Sequence, residues 1–203
     1  NENINTETTQ ETEVKSDNEI QEKQEENNTI QENNEVSTPE TSDIEKEYRD
    51  EVGLDYLKMV FTIEGKNYDA DLEWPEITAK AYYDMMRKGS RAVTGQVKPS
   101  DIEEKFKKAF EEGYDVLYIA CSSRLSSSVN SAKIYADEIL AKYPGRKAVC
   151  YDSLRSNYSE GLMAFDVAKM ANEGKTLDEL VEYLDNNRLK YQVVATVESL
   201  EWL

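Results

Sequence analysis

The chain has 203 residues, 42 acidic against 24 basic, a formal charge of −18, no histidine and two cysteines. Length allows one domain or two small ones. The missing histidine excludes Ser-His-Asp and Cys-His catalytic sets and histidine metal sites, two cysteines are too few for a structural zinc site, and the acidic balance argues against non-specific nucleic-acid binding.

Residues 1–45 hold 14 acids and 2 bases, no aromatic residue and six scattered Ile or Val. Such a stretch buries too little apolar surface to offset its ordering entropy, so it reads as a disordered acidic tail, with an acidic interaction tail as the alternative. From about Tyr56 the pattern changes. Met59 to Ile63 is β-branched and aromatic, a strand, followed by a turn at Glu64-Gly65-Lys66-Asn67. Pro75 is expected to open a helix with Ile77, Ala81 and Met85 on one face, closed by Gly89. Residues 90–98 read as a loop. Ser100 and Glu103 form a capping-box pattern ahead of Ile102, Phe106 and Phe110, and Gly113 ends that helix.

Val116 to Cys121 is a continuous apolar run, as in a strand covered on both faces. Ser126 to Tyr143 reads as a helix with Val129, Ala132, Ala136 and Ile139 inward, stopped by Pro144-Gly145. Ala148 to Tyr151 is a second buried strand. Residues 159–173 read as a helix with a broad apolar arc: Leu162, Phe165, Ala168 and Ala171, with Met163, Val167 and Met170. Thr176 and Glu179 give a second capping box before Leu177, Leu180, Val181 and Leu184, and Val193 to Val197 reads as a third apolar strand. Strands alternating with helices predict an α/β fold over residues 46–203, a mostly parallel sheet flanked by helices. No 18-residue apolar run exists, so no membrane span is expected, and no signal peptide is visible. The reading is cytoplasmic; the start at Asn1 without Met leaves export behind a removed signal open.

Ligands of open α/β sheets bind beyond the carboxyl ends of the strands. Three loops lie there. Ser122 to Ser128 holds five serines in seven residues and feeds a helix start, where free N–H groups and the helix dipole favour an anion or polar head group. Tyr151-Asp152-Ser153 and Thr94-Gly95-Gln96 are the other two. Simpler roles stand beside these: Ser126 as an N-cap, Asp152 closing a turn, Gly95 supplying a positive φ. Cys121 and Cys150 read as buried free cysteines, and Trp74 and Trp202 as packing residues. No metal or cofactor is expected.

These loops resemble the DegV family of bacterial fatty-acid-binding proteins. Ser122-Ser123-x-Leu125-Ser126 to Ser131-Ala132 is similar to the family's Ser-Ser-x-Leu-Ser-Gly-Thr-x-x-Ser-Ala segment, and Thr94-x-Gln96 to its Thr-Ser-Gln. Asp152-Ser153, Glu173-Gly174-Lys175 and Glu198 to Leu203 follow in order, with Gly53 to Tyr56 and Ile63-x-Gly65-Lys66-x-Tyr68 upstream. The resemblance implies one long-chain fatty acid with its tail buried between two α/β domains and its carboxylate held by Ser and Thr residues of the loops matching Thr94 and Ser122-Ser123, so the candidate ligand-binding residues are Thr94, Gly95, Ser122, Ser123 and Ser126. It also implies, for some members, a separate fatty acid kinase to which the lipid is presented, the binding protein not being the catalyst. The 159–173 helix is a candidate lining for the tail. Arg124, Ser127 and Gly95 depart from the family's Gly, Gly and Ser, and its head-group histidine has no counterpart. The family's opening Asp-Ser-Thr-x-Asp-Leu loop has its nearest register at Pro39 to Ile44; the polar residues before it imply that the opening strand is lost, and Leu203 falls where the second domain would begin. The alternatives are a non-binding structural or interaction fragment, and an enzyme with a serine nucleophile at Ser122 or Ser123 and a Lys, Asp or Glu base.

Overall fold

The computed structural model describes residues 33–194 and residue 196. Its main sheet is built around a strand that the sequence reading discards. β1 (Asn34–Pro39) pairs in parallel with β2 (Asp55–Leu57) on one side and with β6 (Asp115–Ala120) on the other. With β7 (Ala148–Asp152) outside β6, the order is β2-β1-β6-β7, all parallel. The expectation that the opening strand is lost is therefore overturned, and the folded unit takes in β1 and the three-ten turn Glu40–Ser42 rather than starting at residue 46. A strand flanked on both edges gains its ladder bonds whatever its side chains are. Ser37 and Thr38 are small enough to bury completely, and the Thr38 hydroxyl donates to Glu160 Oε1 at 3.2 Å. Pro39 ends the strand where only β2 still pairs, so its missing N–H breaks no bond to β6.

Helices cover both faces, as an α/β fold requires. α3 (Pro99–Glu111) and α4 (Ser128–Leu140) pack on one face; α1 (Lys46–Val52), α5 (Asn157–Asn172) and α6 (Leu177–Asn187) pack on the other. β6 shows the period of two directly: Val116, Tyr118 and Ala120 enter the first core, Leu117 and Ile119 the second. Ile102, Phe106, Phe110, Val129, Ala132, Ala136 and Ile139 lie inward as their spacing predicts. The capping box at Thr176 and Glu179 is formed reciprocally.

A second, antiparallel sheet of order β4-β3-β5 comprises β3 (Met59–Ile63), β4 (Lys66–Ala70) and β5 (Val93–Thr94). Glu64 and Gly65, both at positive φ, make the tight turn between β3 and β4. α2 (Ala79–Arg87) follows β4.

Several local expectations change. Pro75 does not open α2: Trp74 turns the chain at φ 51°, and Thr78 caps the helix by accepting the Ala81 N–H at 3.2 Å. Ala81 is exposed rather than inward. Ser100 makes no capping box, because α3 starts at Pro99 and the Ser100 hydroxyl bonds Asp101 instead. On α5 the buried face is Glu160, Gly161, Met163, Ala164, Val167 and Ala168, while Leu162 is exposed. The expected strand Val193–Val197 lies partly outside the described residues, and Val193 and Val194 are exposed and irregular; β1 and β2 complete the sheet in its place.

Candidate functional site

The parallel strands all end on one edge of the sheet, and the loops leaving them meet the second sheet and α2. Two adjoining cavities lie there. The first, about 420 Å³, has an aromatic and aliphatic side made by Phe61, Leu72, Trp74, Tyr82 and Tyr83, and a polar side made by Thr41, Asp43, Asp71, Ser156 and Asn157. The second, about 700 Å³, is lined by Met59, Gly95, Gln96, Ser126 and Ser127. Thr41, Thr94, Cys121 and Leu125 line both, so these four mark the junction.

The aromatic side is one connected cluster. Phe61 stacks on Tyr68 with centroids 5.1 Å apart and meets Tyr82 edge-on at 5.2 Å. Trp74 lies 5.4 Å from Tyr82, and Tyr82 lies 5.2 Å from Tyr83. α2 has no fully buried residue, and these ring contacts hold it to the hairpin. Three of the non-glycine residues at positive φ, Asp43, Trp74 and Asn157, line the first cavity. Asn157 Nδ2 donates to Asp43 Oδ2 at 3.1 Å, linking two of them across the mouth. Asp and Asn tolerate this backbone region, but a bulky Trp there is strained, and such strain concentrates at functional sites.

The residues expected to form the site divide. Thr94 sits in β5 opposite Phe61 and lines both cavities. Gly95 lines the second; its N–H donates to Val60 O at 2.6 Å, and its φ is not positive. Ser126 also lines the second, and its hydroxyl accepts the Ser128 N–H at 3.2 Å; the N-cap of α4 is Ser127. Ser122 and Ser123 line neither cavity. Ser122 is buried, its N–H donates to Arg155 O at 2.8 Å and its Oγ accepts the Arg124 N–H at 3.2 Å. Ser123 is exposed and its N–H donates to Asp152 Oδ1 at 3.0 Å. Asp152 also accepts the Leu154 N–H at 3.1 Å, so one carboxylate fastens the β6 loop to the β7 loop. Gln96 Oε1 accepts from the Ser131 hydroxyl, tying the Thr94 loop to α4.

Sequence reasoning misses Thr41, Asp43 and the aromatic side. The signal for the latter is the run of three aromatic residues Trp74, Tyr82 and Tyr83 within ten positions. The 159–173 segment contributes no residue to the first cavity; only Asn157, in the first turn of α5, reaches it, and not the apolar face expected to line a tail. Cys121 and Cys150 are buried and free, and burial pushes the Cys150 thiol up to about 12, far from a thiolate at neutral pH. Among the described residues no group of three or more His, Cys, Asp or Glu is placed to hold a metal ion.

Burial raises the Asp152 carboxyl, but the bonds from Ser123 and the Leu154 N–H outweigh it and hold the group below its ordinary value. Burial likewise raises Asp71, and Lys58 at 2.5 Å, the Glu73 N–H and the Tyr56 hydroxyl more than offset it. A carboxylate lowered in the folded state contributes stability that is fully present above its unfolded value of about 3.9 and is lost as pH falls through the folded one. With no histidine to titrate, the urea midpoint should stay level from about pH 8 to about 5.5 and fall below about pH 4. A midpoint that already drops between about pH 8 and 6 would contradict this assignment.

The sequence pattern described as "Uncharacterised protein, DegV family" matches residues 35–203. The chain belongs to the DegV family. A DegV domain-containing protein of Clostridium perfringens is 30% identical over 168 residues, which cover 83% of this chain and 57% of that protein. The solved structure described as fatty acid binding of a DegV family protein from Thermus thermophilus superposes with a TM-score of 0.66 at 26% identity, over 77% of this chain and 54% of that one. DegV from Bacillus subtilis, described as a fatty acid binding protein, shares the fold with a TM-score of 0.68 at 20% identity, over 78% and 54%. The chain thus spans a little over half the length of these DegV relatives. None of its described helices is long and apolar enough to cross a membrane.

Proposed function

We propose that this DegV chain binds a long-chain fatty acid, with the acyl chain in the aromatic-sided cavity and the carboxyl group at the junction, between the Thr41 and Thr94 hydroxyls that line both cavities and the Ser126 hydroxyl of the second. The observation that carries the reading is the joining of an apolar cavity of about 420 Å³ to a hydroxyl-lined one at the carboxyl edge of the sheet. An apolar slot with a few convergent polar groups is what a ligand with one polar end requires. The Thermus thermophilus relative described as fatty-acid-binding supports the ligand class. In this reading Ser122 and Ser123 shape the loop rather than touch the head group. A hydroxyl already engaged with backbone, as in Ser122, favours binding over nucleophilic chemistry. The protein holds the acid, and a separate fatty acid kinase acts on what it presents.

Native mass spectrometry with palmitic acid tests this. The expected result is a one-to-one adduct, weakened about tenfold in Thr94→Ala, the equivalent of one lost hydrogen bond of about 1.4 kcal/mol. No adduct with the unmodified chain, or an adduct indifferent to Thr94→Ala and to Ser126→Ala alike, would overturn it.

A further inference from the structure

Two strained backbone positions of the first cavity have neighbours in the chain that share one partner. Asp43, at φ 53°, is followed by Ile44, and Trp74, at φ 51°, is preceded by Glu73. A single guanidinium holds both neighbours. Arg49, on α1, donates from Nε to the Ile44 carbonyl oxygen at 3.0 Å and from Nη2 to Glu73 Oε1 at 2.5 Å. Arg49 is 7% exposed and lines neither cavity. Its Cζ lies 4.5 Å from the centroid of the Tyr56 ring, a stacking contact that fixes the plane of the fork. The Tyr56 hydroxyl in turn donates to Asp71 Oδ1 at 3.0 Å, the same oxygen that accepts the Glu73 N–H at 2.8 Å.

The two partners belong to different sides of the cavity. Ile44 follows the turn that carries Thr41 and Asp43 on the polar side, whereas Glu73 stands between Leu72 and Trp74 on the aromatic side. Left-handed backbone at a residue as bulky as Trp persists only where its surroundings over-determine it. At Trp74 they do: its N–H donates to Asp71 O at 3.1 Å, and Arg49 grips the side chain of the residue before it. On the polar side Ile44 is buried, so its carbonyl is anchored from the core as well as by Arg49.

We infer that Arg49 is a positioning residue for the ligand site: its fork sets the spacing between the polar and aromatic sides of the first cavity. The inference rests on the fatty-acid reading above and adds what fixes the width of the slot. Arginine suits this task. Its donors leave a rigid plane in different directions, so one stacked side chain reaches two acceptors at once. A lysine ammonium is a point charge on a flexible stem and cannot span both. Without the fork each side keeps its own local bonds, Asn157 on Asp43 and Lys58 on Asp71, so the fold survives while the spacing relaxes.

The test combines palmitic acid titration by native mass spectrometry with the fluorescence of Trp74. The chain has two tryptophans, so every variant is made in a Trp202→Phe background. Arg49→Met and Arg49→Lys should each raise the dissociation constant about tenfold. In the ligand-free protein both should shift Trp74 emission to the red and strengthen its quenching by acrylamide. Glu73→Ala changes an exposed side chain and does not threaten the fold. It should release the aromatic side alone, with the same shift at Trp74 and a dissociation constant about threefold higher. Val52→Ala truncates the core on the same helix at a residue that lines neither cavity, and should leave affinity and emission level. Unchanged affinity in Glu73→Ala and in either Arg49 variant overturns the inference. An equal loss in Val52→Ala traces the effect to stability and overturns it too, as does full rescue by Arg49→Lys, which would leave only the charge. A parent chain that takes up no palmitic acid overturns the fatty-acid reading instead. Trp74 emission without ligand then decides whether Arg49 sets the spacing, and an unchanged spectrum in Arg49→Met and Glu73→Ala overturns that as well.

Discussion

Val36→Asp should abolish the cooperative fold. Val36 is 4% exposed and lies opposite Leu117 in the register of β1 against β6. It belongs to the core that Leu117 and Ile119 form with Leu54, Met163 and Val167 on that face of the sheet. A carboxylate placed there meets apolar side chains and costs several kcal/mol, against a total stability of about 5–15 kcal/mol for a domain of this kind. The measurement is urea unfolding followed by circular dichroism, with Val36→Ile as the control, which should shift stability by less than about 1.5 kcal/mol. A Val36→Asp protein that still unfolds cooperatively, within about 1 kcal/mol of the parent, would place β1 outside the core.

Gly161→Ala should cost about 2 kcal/mol, although alanine is ordinarily the better helix former by about 1 kcal/mol. A Cβ at position 161 would fall inside van der Waals contact of the Ile44 side chain and of the Ser42 carbonyl oxygen. The carbonyl is backbone and cannot swing aside, so the three-ten turn Glu40–Ser42 must shift off α5. That turn carries Thr41, and Asp43 follows it, so the displacement reaches the cavity junction as well as the core. Chemical denaturation reads the first effect and palmitic acid binding the second. A raised midpoint, as helix propensity alone would give, would show that the turn yields freely and that the close approach carries no cost.

What the sequence made legible was what repeats. β3, β6, α3 and α6 follow from runs and spacings that local chemistry sets, and the DegV resemblance follows from short motifs in order. β1 was hidden because Asn-Glu-Val-Ser-Thr-Pro holds one aliphatic residue, and its burial depends on pairing with β2 and β6 and on Glu160, which comes from α5. Pro75 and Ser100 gave true local signals that a stronger neighbour outweighed: the Thr78 cap in one case and Pro99 at the first helical position in the other. The serine loop was correctly placed at a strand end. That Ser122 and Ser123 spend their polar groups on Arg124, Arg155 and Asp152 is set largely by a neighbouring loop about 30 residues away, which no local pattern carries.

The position of β1 also governs the order in which the sheet can form. Its partner in β6 begins at Asp115, opposite Asn34, so during synthesis one edge of β1 waits while about 80 further residues leave the ribosome. A waiting strand rich in valine and isoleucine would invite pairing with other chains. Asn-Glu-Val-Ser-Thr-Pro does not: its charge, hydroxyls and terminal proline keep it soluble until β6 arrives. The polarity that hides this strand from a hydrophobicity reading is what lets the nascent chain hold it open.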